Sequence, residues 1–346
     1  MKYGQTVATV VASALFSACL TFSAVGAEDD GVASNSDSPL TSLDVAMAEE
    51  EGDYVYEDVG EIDYDEGCNL PWLTGRFGML YMTRESPDNV PIVLDNNGAG
   101  PVAFSASDFD MDWEPGLEAA LILNSPRFWC PVEFRYMWIN PWEDLHSASG
   151  LTNPVFATNP NIPVGNTMDY AYYTTEFQSF EINFRRTLWG CCTTLLAGFR
   201  YVSLDEDLDF GFGADQFWWS VDNDLFGFQL GIEHILYDNG RNFALEGFIK
   251  AGVYANDSKV MAMVPGNQQP WVDDDHVAFL GEMGLVAVYD FNNVWSVRCG
   301  YQALWLDGVL NSANQVSVTD NLAQTAAFDY TTTFFHGGLL QLERRF

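Results

Sequence analysis

The chain has 346 residues with 49 acidic against 14 basic ones, a formal charge of −35, which argues against a nucleic-acid or anionic-lipid partner. Aromatic residues make up 15%, with 11 Trp and 29 Gly, and the length allows one large domain or two ordinary ones. The acidity suits a surface that meets cations, or simple solubility in a salty medium.

The N-terminus reads as an export signal. Lys2 precedes the apolar run "VATVVASALFSACLTFSAV", and "VGA" offers small residues for cleavage after Ala27. "FSAC" around Cys19 is an alternative lipoprotein site, with Phe16 where such sites prefer Leu. Residues 28–67 then hold 15 acidic residues and no Lys or Arg, a composition that predicts a disordered, solvated spacer. No later stretch reaches the roughly 18 apolar residues of a membrane helix, so any membrane crossing must use strands.

From Trp72 onward the text alternates with period two. In "GRFGMLYMT" Phe77, Met79 and Tyr81 oppose Arg76 and Gly78. "FDMDWEPGLEAALIL" sets Phe109, Met111, Trp113, Leu117 and Leu121 against Asp110, Asp112, Glu114 and Glu118. "VEFRYMW" sets Phe134, Tyr136 and Trp138 against Glu133 and Arg135, and "SFEINFR" sets Phe180, Ile182 and Phe184 against Glu181 and Arg185. "LLAGFRY" and "FGFQLGIEHIL" continue, with Arg200 and Glu233 on the polar side. "FALEGFIKAGV" opposes Glu246 and Lys250 to Phe243, Leu245 and Ile249, and "VAFLGEMGLVAVY" carries Glu282. "WSVRCGYQALW" opposes Arg298 to Trp295, Val297 and Cys299. The last stretch, "LLQLERRF", sets Leu340, Leu342 and Phe346 against Gln341, Glu343 and Arg345. This predicts ten strands.

The connections alternate too. "NSPR", "TLWGCCTT", "YDNGRN" and "YDFNNV" are short. Those near 85–107, 141–168, 203–222, 256–275 and 307–325 run to about twenty residues. One trimmed and one decorated end is the asymmetry of outer-membrane barrels. A soluble β-sandwich also alternates in and out. Against it stand the mixed charges on the polar faces, the export signal, and aromatics beside the short turns: Trp72, Trp129, Trp189, Trp295 and Phe346.

"TTEFQSFEINFRRT", "LLAGFRYVSLDEDL", "DNDLFGFQLGIE" and "GEMGLVAVYDFNNVWSVRCGYQALWLDGVL" together resemble the β-barrel porin group abundant in planctomycete genomes. The resemblance covers roughly 170–346 and implies an exported outer-membrane barrel of porin-like type, with no catalytic residues to carry over. A terminal Phe after alternating apolar residues also resembles the signal read by outer-membrane assembly machinery. Arg344 departs from it, standing where an aromatic is usual.

The expected architecture is all-β: a transmembrane antiparallel up-and-down barrel of about 10 strands, with 12 as the alternative. The segments are a signal peptide 1–27, an acidic disordered segment 28–67 and a barrel domain 68–346. Glu133, Arg135, Glu181, Arg185, Glu246, Lys250, Glu282, Arg298, Glu343 and Arg345 share the lumen side by parity, with Arg76, Glu118, Arg200 and Glu233. In ten strands mixed charges predict a salt-bridged plug; a wider barrel would make them a selectivity lining. Leu340, Leu342 and Phe346 form the closing signal. A disulfide staple is expected among Cys68, Cys130, Cys191 and Cys192 at the short-turn end, leaving Cys299 free on the lipid side. The acid runs Asp205, Asp207, Asp209 and Asp273, Asp274, Asp275 are expected in external loops. They are read as solvated acidity, with Ca²⁺ as the secondary reading. His146 and His276 lie near carboxylates, but no Ser elbow, HExxH or paired CxxC accompanies them. Hence no enzyme, cofactor or resident metal is expected. The partners are outer-membrane lipid and the assembly machinery, not nucleic acid, and an oligomer is compatible with this. Passive permeation or an envelope role follows, with coat anchoring through acidic loops as the alternative.

Overall fold

The computed structural model describes residues 71–94, 100–124, 130–147, 155–156, 168–188, 192–264, 267–268, 272–320 and 325–346. The signal peptide, the acidic segment 28–67, Cys68, Trp129, Trp189 and Cys191 lie outside the described residues.

Ten long strands build the wall: β1 Leu73–Arg84, β2 Glu114–Leu123, β3 Val132–His146, β4 Tyr170–Leu188 and β5 Thr193–Phe212, then β6 Asp215–Asp238, β7 Phe243–Val264, β8 Val272–Asp290, β9 Trp295–Leu310 and β10 Tyr330–Arg345. Each pairs antiparallel with its neighbour in the chain, and β1 pairs with β10, so the sheet closes. The expected count of about ten holds. Closure sets Phe77 opposite Leu342 and Met79 opposite Leu340, and the Phe346 N–H donates to the Leu73 carbonyl at 2.9 Å. No sheet edge is left along the seam, as a wall in hydrocarbon requires.

Period-two alternation sorts the side chains. Phe77, Phe199 and Val253 point outward and are 60%, 62% and 61% exposed. Their strand neighbours Arg76, Arg200 and Gly252 point inward. Inward glycines let large side chains lie flat along the wall: the Tyr254 side chain lies over its cross-strand partner Gly227 and over Gly252, where a Cβ would come within 2.6 Å of it.

The strands are unequal. β4 to β8 run for 19, 20, 24, 22 and 19 residues, whereas β1 and β2 have 12 and 10. The longer five rise beyond the apolar band as a curved wall. This corrects the expectation of loops at 203–222 and 256–275. β5 and β6 meet in a two-residue turn, Gly213–Ala214, with Gly213 at φ 65°. Asp205, Asp207 and Asp209 lie on β5, and Asp273, Asp274 and Asp275 on β8. The cause is an inversion of the pattern: above the bilayer the outward face meets water and turns acidic, while the inward face becomes apolar.

The interior therefore has two layers. Toward the short turns it is polar and charged. Toward the long hairpins it is apolar, with Met82, Ile139, Val202, Leu280, Leu306 and Phe335 nearly inaccessible. Phe109 and Met111, expected on the outward face, are instead buried at 1% and 4% in this core. They precede β2 and pack under the mouth, Phe109 against Phe104 and Tyr173.

The mouth is capped. Short strands Pro91–Leu94, Val102–Ser105 and Val155–Phe156 form a small sheet, and α1 (Ser312–Val318) is tucked inside. A bulge at Gly308, φ 81°, turns β9 toward α1; a Cβ there would stand 2.8 Å from the Val277 carbonyl.

Candidate functional site

The site is the filled lumen. β2, β3, β4, β8 and β9 bring Glu118, Arg135, Glu181, Glu282 and Gln302 to one level because each stands on the inward parity of its strand. Arg135 spans the barrel. Its Nε and one terminal nitrogen each donate to Glu118 at 3.0 Å. The other terminal nitrogen donates to Glu181 and Glu282, both at 2.7 Å. Arg200 meets Glu282 at 2.5 Å and donates to the Ser179 hydroxyl at 2.8 Å. Lys250 donates to Glu181 at 2.9 Å. Asn183 and Gln229 donate to the same carboxylate at 2.9 and 2.8 Å, so Glu181 is saturated with donors.

A second layer lies closer to the short turns. Arg185 pairs with Glu133 at 2.5 Å and with Glu233. Arg298 pairs with Glu246 at 2.6 Å, while Arg76 and Arg345 reach Glu343 at 2.8 and 2.9 Å. Arg345 also meets Asp290 at 3.1 Å. Between the layers is a cavity of about 40 Å³ lined by Arg76, Glu118, Glu233, Glu246, Lys250 and Arg298 among others. It has room for a few waters, not a solute.

All ten lumen residues expected from parity take part in ion pairs, in two networks: one through Arg135, Glu181 and Arg185, the other through Arg298 and Glu343. Parity also set the neutral Asn183, Gln229, Gln302 and Gln341 on the inward face, but it missed Ser179. It also missed a third ionic group higher up, where Arg84 meets Glu206 at 2.7 Å with both side chains at 0% exposure. Tyr173 donates to Glu206, and so does the Ser312 N–H, at 3.0 Å. That contact fastens α1 to the wall. Asn223 holds the approach to it, donating to the Leu310 carbonyl at 3.0 Å and accepting from the Leu310 N–H at 2.8 Å. Asn256 donates to the Gly308 carbonyl at 3.1 Å. The signal was present: Arg84 shares parity with Arg76, and Glu206 with Arg200.

Outside the lumen the acid runs do not converge. On the convex face of the high wall, Asp224, Asp257 and Asp275 are direct cross-strand partners. Glu176, Asp205, Asp222, Lys259 and Asp273 form the next row. Like charges so placed repel. Burial, and then the Asp222 carboxylate, push Asp205 up to about 6. Asp274 faces the other way and accepts from the Tyr330 hydroxyl at 2.8 Å. Among the described residues no three His, Cys, Asp or Glu side chains are grouped to hold a metal ion. His276 stacks on Tyr330 at 3.8 Å, and His146 packs against Phe104 at 5.1 Å.

The cysteines are dispersed. Cys130 is a buried free thiol, so the staple expected of it is absent: it is tucked beneath the start of β3, and burial raises its pKa. Cys192 is exposed at the start of β5, and Cys299 is an exposed free thiol on the outward face of β9.

A closed ten-strand antiparallel wall, with an outward apolar band and a polar, salt-bridged interior, is the architecture of outer-membrane β-barrels. Aromatic side chains edge the band at both ends, with Trp72, Tyr289, Trp295 and Phe346 by the short turns and Tyr81, Trp113, Tyr201 and Phe226 opposite. The chain is similar in fold to the outer-membrane protease OmpT from Escherichia coli, at 9% identity and a TM-score of 0.44, over 79% of this chain and 96% of that one. It is also similar to the translocator domain of the autotransporter NalP from Neisseria meningitidis, at 9% identity and 0.42, over 82% and 91%. A third similar chain is the toluene transporter TodX of P. putida, at 11% identity and 0.29, over 79% and 90%. No protein-family model matches the sequence, and no curated protein does.

Proposed function

We propose that this protein is an exported outer-membrane β-barrel with a closed lumen, serving an envelope role through its anchored external surface rather than as an open diffusion channel. One observation carries this: the Arg135 lattice crosses the lumen from Glu118 to Glu181 and Glu282, with an apolar core stacked above it. An ion on that route would have to part buried pairs and then cross the apolar layer. Porin-like permeation, which the resemblance to the planctomycete group implies, would require both layers to move.

The test is planar-bilayer recording of folded protein, identified by heat-modifiable mobility. Steady absence of conductance steps is expected. Discrete, reproducible steps from wild-type barrel would overturn the proposal in favour of passive permeation.

The carboxylate rows on the convex wall favour a second reading, coat anchoring or adhesion through divalent cations. If it holds, chelation releases a surface layer, and Asp273→Asn with Asp275→Asn reproduces the release without chelator. Retention of the layer in both experiments refutes it.

A further inference from the structure

We propose that Arg344 forms a binding site for the phosphate of one anionic diacyl phospholipid at the short-turn edge of the apolar band. The inference rests on the membrane placement above.

Arg344 is outward on β10 and exposed. Its guanidinium lies 4.2 Å from the Phe346 ring centroid and 5.1 Å from that of Trp295. Phe346 lies nearer the end of the barrel, so the side chain reaches away from the hydrocarbon toward the headgroups. The two rings fix the guanidinium plane, which lowers the entropy lost when it forks onto phosphate oxygens.

Its charge is uncommitted. No carboxylate among the described residues stands in ion-pair distance of it, whereas the adjacent Arg345 is held by Glu343 and Asp290. The wall beside it is indented. Gly75 is its partner across the closing seam, and a Cβ built there would meet nothing within 4 Å. Trp72 stands edge-on to Phe346 at 6.3 Å and adds a third ring to this edge of the band. A cation, two flat rings and a side-chain-free notch at interface depth match a phosphate with its glycerol beside it.

The net charge of −35 argues against an anionic lipid only if charge is spread evenly. Among the described residues it is not: the carboxylate rows lie on the high wall at the opposite end, and fields between exposed charges fade over about 8 Å in physiological salt.

The protein is refolded into vesicles of equimolar phosphatidylcholine and phosphatidylglycerol. After detergent release, the phospholipids that stay on the folded barrel are counted by native mass spectrometry. Wild type should retain phosphatidylglycerol over phosphatidylcholine, and Arg344→Gln should lower that preference about fivefold. Arg344→Lys should keep part of it, as charge without the stacked fork. Gly75→Leu should reduce it with the charge intact, and the open space leaves folding undisturbed. Equal preference in wild type, Arg344→Gln and Gly75→Leu barrels, all folded by heat-modifiable mobility, overturns the site alone. Folded protein that fails to float with the vesicles overturns the membrane placement along with it.

Discussion

Replacing Arg135 by Met removes the cation at the centre of the lumen while keeping much of its volume. Arg135 makes a two-pronged contact with Glu118, at 3.0 Å for each prong, and single contacts of 2.7 Å with Glu181 and Glu282. The three carboxylates do not suffer equally. Glu181 keeps Lys250, Asn183 and Gln229, and Glu282 keeps Arg200. Among the described residues Glu118 keeps only the Gln341 amide, at 2.8 Å. A buried charge stranded in this way costs about 3–5 kcal/mol. The cost should appear as a lower denaturant midpoint for the folded barrel in detergent, at unchanged m-value, followed by tryptophan fluorescence. Adding Glu118→Gln removes the stranded charge and keeps a hydrogen-bonding partner for Gln341, so the double variant should recover more than half of the loss. A loss below about 1 kcal/mol, small beside the cost of stranding a buried charge, would show that the lattice is solvated and the lumen loosely filled. Equal loss in single and double variants would show that Glu118 is not the stranded group.

Asp205→Asn tests the repulsion on the convex wall. Asp205 has its folded pKa raised to about 6 by burial and Asp222, so its ionisation is easier in the unfolded chain, and stability falls as pH rises from about 4 through 6. The Asn variant should therefore be more stable than wild type at pH 8 and close to it at pH 4; a gain at pH 4 equal to that at pH 8 contradicts the assignment. Glu206→Leu strands Arg84 in the apolar mouth and removes the acceptor of the Ser312 N–H, so it should cost about 3–5 kcal/mol and open the 312–320 segment to protease. Arg84→Met with Glu206→Leu should restore stability to near wild type, and failure to do so would place the cost elsewhere. Deleting Phe346 removes both a backbone donor to Leu73 and the ring against Trp72. It should lower the yield of assembled barrel far more than Arg344→Tyr does, and equal yields would refute the role given to Phe346.

The membrane half of the fold was legible because a bilayer imposes one rule on every strand. Phe180, Ile182 and Phe184 against Glu181, Asn183 and Arg185 need no further context to be placed outward and inward. The upper half was misread because the solvent changes along a single strand. On β5 the outward series runs Leu195, Ala197, Phe199 and Tyr201, then Ser203, Asp205, Asp207 and Asp209. The inward series runs from Arg200 to Val202, Leu204, Leu208 and Phe210. Strand geometry is continuous across that change, but composition reverses, and a dense acid run resembles a loop. Phe109 and Met111 failed for a related reason: their alternation is local packing under the cap, outside any paired strand. The lattice's charged members followed from parity, whereas which glutamate met which arginine depended on the stagger between strands, which sequence spacing does not set.

The charge balance within the lumen bears on function independently of geometry. Glu118, Glu133, Glu181, Glu233, Glu246, Glu282 and Glu343 face Arg76, Arg135, Arg185, Arg200, Lys250, Arg298 and Arg345. These seven carboxylates and seven cations cancel, and above them Arg84 and Glu206 cancel again. The excess negative charge of the chain therefore lies outside the barrel interior. A pore lining tuned for selectivity carries a residual field along its axis to favour one sign of solute. A neutral lattice carries none and is suited instead to holding ten strands in register. Among the described residues the strongest outward field comes from the carboxylate rows on the convex face of the high wall, at the height where headgroups, divalent cations and surface polymers meet it. Truncating that wall at the Gly213–Ala214 hairpin should thus change what the surface binds, while the Arg135 lattice keeps the barrel folded.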